Sequence, residues 1–79
     1  MKPYANEADV ISIGALTIEN RTDRISIVGN IDLTRDKAGL RDALALRQLL
    51  DDVLAVLQQE ELPETIVIVP TKTVKNPFR

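Results

Sequence analysis

From Asp36 to Glu61 the apolar residues recur at helical spacing, and they cover more of the helix than one small sheet needs. At about 100° per residue, Ala43, Leu46, Leu50, Val53, Leu54 and Leu57 fall on one stripe. Leu40 and Leu44 widen it on one flank, and Leu49 and Val56 on the other. The arc is on the order of 200°, whereas a helix covering a sheet needs little more than 100°. Burial of the remainder therefore calls for a surface outside this chain's own strands. Asp36 or Thr34 can cap the first turn, and Pro63 sets the stop near Glu61. Gly39 weakens that first turn by roughly 1 kcal/mol relative to Ala unless a close packing contact requires it.

Strand patterning occupies the chain on both sides of the helix. Val10 to Asn20 reads as a strand, with Gly14 seating a bulge or bend. Asn20-Arg21-Thr22-Asp23 supplies turn chemistry, and a second strand follows from Arg24 to Leu33. Ile25, Ile27, Ile31 and Leu33 share its inward parity. Thr65 to Val69 reads as a third strand whose unbroken apolar run implies cover on both faces. The expected order is β-β-α-β. This is an α+β fold: a three-stranded, mostly antiparallel sheet with one long amphipathic helix on one face. A single domain spans residues 1–79, with a loose arm over 1–9 and an extended tail over 71–79. The surplus apolar positions, Leu40, Leu44, Leu49, Val53, Val56, Val67 and Val69, form the candidate interface.

Composition narrows the function classes. A domain of 79 residues buries little more than its chain entropy costs, so such domains use a staple or an oligomer. The chain has no cysteine and no histidine, which removes disulfides and the usual zinc ligands and leaves oligomerisation. No apolar run reaches the roughly 18 residues of a membrane span. The opening MKPYANEAD lacks the apolar core of a secretion signal, and the expected location is cytoplasmic. Net charge is −2 but unevenly spread, with five acids and no base between Gln48 and Pro70. One Tyr, one Phe and an acidic balance point away from nucleic acid.

Candidate chemistry is sparse. Acid–base catalysis needs two groups whose surroundings separate their pKa values. Asp32 with Asp36, and Asp51 with Asp52, are the nearest pairs; Asp32 reads as solvated on the outward parity of its strand, and Asp51 and Asp52 lie on the polar arc of the helix. Thr34 to Lys37 sits at a helix start without a glycine-rich loop to cradle phosphate. Ser12 and Ser26 have no histidine to activate them. The reading is a non-enzyme with no cofactor, no metal and no small-molecule ligand.

Two resemblances bear on the setting. RISIVGNIDLTRDKAGLRDALALRQLLDDVL is similar to part of a STAS domain, with Gly29, Ile31, Asp32 and Leu33 at the matching positions. The later strand TIVIVPTKTVKNPF lacks the serine turn that such domains carry. LTIENRTDRISIVGNIDLTRDKAGL, the leucine-rich helix and TVKNPF resemble small uncharacterised proteins of proteobacterial phages and prophages. That resemblance implies a phage or host setting and action by binding, and it transfers no site residue. The expectation is a protein–protein interaction module, a homodimer or a binder of another protein. Its alternatives are an anti-CRISPR-like inhibitor of host defence and a structural homo-oligomer.

Overall fold

A computed structural model describes residues 1–68. The elements run β1 (Val10–Ile13), β2 (Leu16–Asn20), β3 (Ile25–Val28) and α1 (Lys37–Leu57). The three strands form one antiparallel sheet in the order β1-β2-β3, and the long helix follows it. The α+β class, the antiparallel three-stranded sheet and the single long helix are as expected. The element order is corrected to β-β-β-α.

The correction comes from one glycine. Ile13 pairs with Leu16, so Gly14 and Ala15 make a two-residue hairpin turn inside the segment read as one strand. Gly14 has φ +57 at the first central position, the conformation a II′ hairpin turn demands there. The third strand thus arises from splitting the first segment. Thr65 to Ile68 forms no ladder among the described residues, and Val67 is 90% exposed; Val69 and the tail lie outside them. The turn between β2 and β3 falls where expected, closed by the Arg21 amide donating to the Arg24 carbonyl at 3.0 Å.

The inward face alternates along the strands. Ile11 and Ile13 of β1 lie beside Ile18 and Leu16 of β2, and Asn20 and Ile18 lie beside Ile25 and Ile27 of β3. Ile13, Leu16, Ile18 and Leu49 of the helix are the buried apolar core. Ile11, Ile25, Ile31, Leu46, Val53 and Met1 pack around it. The inward parity expected for the second strand is therefore right at Ile25, but β3 ends at Val28 and Ile27 and Leu33 remain exposed.

Asn20 is buried on the same face, and both its side-chain polar atoms have a partner. Its Oδ1 accepts from the Tyr4 amide at 2.8 Å, and its Nδ2 donates to the Lys2 carbonyl at 3.0 Å. Burying a carboxamide without partners costs a few kcal/mol, so these bonds hold the arm in place. Glu7 accepts from the Thr22 amide and hydroxyl at 3.0 and 2.9 Å. The Thr22 bonds, and to a smaller degree Arg21 and Arg24, hold the Glu7 carboxyl below its usual pKa. Residues 1–9 are thus tied to the β2–β3 turn and are not the loose arm their composition suggests.

The helix starts on a dense cap. Asp36 accepts from the Thr34 hydroxyl at 2.6 Å and the Gly39 amide at 2.8 Å, and both bonds lower its carboxyl pKa, Thr34 first. Thr34 folds back so tightly that a Cβ on Gly39 would overlap the Thr34 carbonyl. At the other end, Gln58, Gln59 and Glu60 donate to Leu54, Val56 and Leu57 carbonyls, tightening and closing the helix before Pro63. Helix propensity alone makes Gly39→Ala stabilising by roughly 1 kcal/mol. The Thr34 contact reverses that sign, and urea denaturation is expected to show a lower midpoint for Gly39→Ala than for the native chain.

Candidate functional site

The helix divides its apolar residues between two faces. Gly39 and Leu49 are buried, and Ala43, Leu46, Val53, Val56 and Leu57 are half-buried towards the domain. Leu40, Leu44, Leu50 and Leu54 lie between 49% and 60% exposed. The helix sits over β1, so its buried stripe centres near Leu49 and Val53 and its free flank lies on the Leu40–Leu44 side.

This placement sorts the candidate interface residues. Leu40 and Leu44 stand free on α1. Leu49 is corrected: at 5% exposure it is a core residue, because the stripe that meets Ile13 and Ile18 is turned one flank further than the periodicity suggests. Val53 also packs against the core, and Val56 is half-buried. Val67 is exposed on the segment after the helix. Val69 lies outside the described residues. Leu50 and Leu54, read from the sequence as the middle of the covered stripe, belong to the free flank instead.

Charged residues line this flank. Arg47 Nε lies 4.0 Å from Asp51 Oδ2, with side chains 79% and 60% exposed, a geometry that contributes little to folding. Gln48 donates to Asp52 at 2.9 Å across one helical turn.

The acid pairs do not assemble into a catalytic site. Asp36 is consumed as a helix cap, Asp32 is exposed, and Asp51 and Asp52 each have a local partner on the helix. Among the described residues no cluster of three or more acids could hold a metal. No helix among them is long and apolar enough to cross a membrane. A groove of about 520 Å³ lies between the arm and the segment after the helix, lined by Tyr4, Asp23, Leu57, Glu60, Leu62 and Ile66, among others. Burial raises the Tyr4 hydroxyl pKa, and the Glu60 charge adds to it. The groove brings together the Asp23, Glu60 and Glu64 carboxylates, the Tyr4, Thr22 and Thr65 hydroxyls, and apolar side chains.

Comparison with family models, with curated proteins and with solved structures finds no match. The free flank of α1 is the site that the geometry offers.

The two helix faces predict opposite responses to the same truncation. Leu49→Ala is expected to lower unfolding free energy by roughly 2–5 kcal/mol, because it opens a cavity in a four-residue core. Leu44→Ala is expected to change it by less than about 0.5 kcal/mol when denaturation is followed at high dilution.

Proposed function

We propose that this chain is a non-catalytic protein-interaction module that self-associates through the free flank of α1. One observation carries the reading: four leucines stand about half-exposed on a capped, 21-residue helix whose opposite face is already committed to the core. Exposed single leucines are ordinary, but a row along one helix flank is the pattern of an interface. A domain with four buried apolar core residues among those described also gains from association, since a small core leaves folding marginal. The phage or host setting implied by the sequence resemblance accords with action by binding.

A second reading has its own observation. Among the described residues both β1 and β3 are edge strands, and β3 carries Ile27 and Val28 exposed. Edges of this kind template pairing with another chain.

Light scattering separates the two. The native chain is expected at twice its 8.8 kDa mass. Leu44→Asp should give a monomer with an unchanged circular dichroism spectrum, whereas Val28→Lys should remain a dimer. A dimer lost with Val28→Lys and kept with Leu44→Asp would move the interface to the sheet edge. A native monomer at high concentration would overturn self-association altogether.

A further inference from the structure

The free flank has a spacing and a charge order of its own. Leu40, Leu44, Arg47, Asp51 and Leu54 follow one another at intervals of four, three, four and three residues. This is the alternation of the seam positions of a two-stranded coiled coil, conventionally a and d. Leu44 and Asp51 occupy a, and Leu40, Arg47 and Leu54 occupy d. The residues that hold the helix to its own sheet, Leu46, Leu49, Val53 and Val56, fall at positions c and f. The seam direction is about 160° from the buried stripe at 100° per residue. A second helix can therefore lie along the seam without meeting the sheet of the first.

Two charges at the middle of the seam decide its orientation. In a parallel pair, each seam residue meets its own copy, so Arg47 would face Arg47 of the partner subunit and Asp51 would face Asp51 of the partner subunit. In an antiparallel pair, a positions meet d positions. The register centred between Arg47 and Asp51 then sets Leu44 against the partner's Leu54 and Arg47 against the partner's Asp51. The two-fold axis repeats both contacts, giving two leucine layers and two ion pairs. Shifting this register by one heptad in either direction puts a leucine against a charge in the central layers. Of these antiparallel registers, only the first pairs leucine with leucine and opposite charges in the four central layers, Leu40 meeting Gln58 of the partner subunit at the ends. The intrachain Arg47–Asp51 contact is long and exposed, so both groups are available to exchange partners.

We infer that α1 is a self-complementary seam that takes a second copy of the same helix in antiparallel orientation, with Leu44 on the partner's Leu54 and Arg47 on the partner's Asp51. The inference rests on the self-association reading and adds orientation, register and the specificity device. It makes Arg47 and Asp51 negative-selection elements, which reject parallel pairing and other leucine-rich helices of the wrong charge order.

Charge reversal tests it on the full chain. Arg47→Asp and Asp51→Arg each place like charges in both central layers, and each is expected to weaken the dimer about tenfold or more in sedimentation equilibrium. The double exchange R47D/D51R restores opposite charges and should recover most of the native affinity. An equimolar mixture of the two single variants should form a heterodimer.

Orientation is read separately, because the chain has no cysteine of its own. Mixed L44C and L54C chains are expected to form the 44–54 cross-link under mild oxidation, with little 44–44 or 54–54 product. A native monomer sinks both the dimer and its geometry. A native dimer that tolerates either single reversal, or that yields mainly the 44–44 cross-link, leaves self-association standing and overturns the antiparallel seam.

Discussion

Among the described residues one helix is the main cover for the apolar face of a three-stranded sheet, and the rest of this small domain is arranged around that limitation. Ile13, Leu16 and Ile18 on the sheet and Leu49 on the helix are the buried apolar side chains. With so few, each remaining device must position the helix and keep the sheet closed. The Thr34–Asp36–Gly39 cap does the first, bringing the connecting loop against the opening turn so closely that only glycine fits. Asn20 does the second, because its carboxamide binds the arm across the end of the inward face where apolar residues run out. Polar bonds thus complete a core that apolar burial begins.

The same limitation explains why the helix is amphipathic in an unusual way. A helix in this position can commit only one stripe to β1, and here Leu46, Leu49 and Val53 supply it. Leu40, Leu44 and Leu54 contribute nothing to that contact, and folding would not suffer from polar residues there. Their presence is better accounted for by a requirement outside the isolated fold. The charges between them strengthen this point, since a merely greasy flank would promote indiscriminate sticking. A flank interrupted at its middle by Arg47 and Asp51 would discriminate among partners under the proposed self-association.

Much of the architecture was legible in the residues, and its misreadings have local causes. Turn chemistry at Asn20–Asp23 and the capping residues before Lys37 gave the β2–β3 turn and the helix start, because those signals act within a few residues. From sequence the hairpin at Gly14-Ala15 reads as a bend, since one glycine in an apolar run suits either a bulge or a two-residue turn, and only pairing with a neighbour decides. That choice displaced the third strand to Thr65–Val69. The helix ends at Leu57, short of Pro63, because Gln58 to Glu61 have no apolar side chain to set against the sheet. Asn20 was read as turn chemistry, although it lies on the inward parity of Leu16 and Ile18; its burial depends on an arm sixteen or more residues away. Periodicity revealed that the helix carries an excess of apolar surface. It misplaced the excess by one flank, because the direction of the sheet is a tertiary fact.

That displacement bears on how such a surface can be specific. Had the free flank centred on Leu49 and Val56, its neighbours would have been the residues that pack the core, and binding and folding would compete for the same side chains. With the flank at Leu40, Leu44 and Leu54, the proposed binding surface and the core draw on different residues. Substitutions along the seam can then vary partner choice with little effect on folding, and substitutions in the core can vary stability while preserving the seam's charge order. The one element common to both is the cap at Asp36, which fixes where the helix begins and so the direction in which every later side chain projects. Rotation of the helix by a single residue would move the seam by about 100° and dissolve the separation.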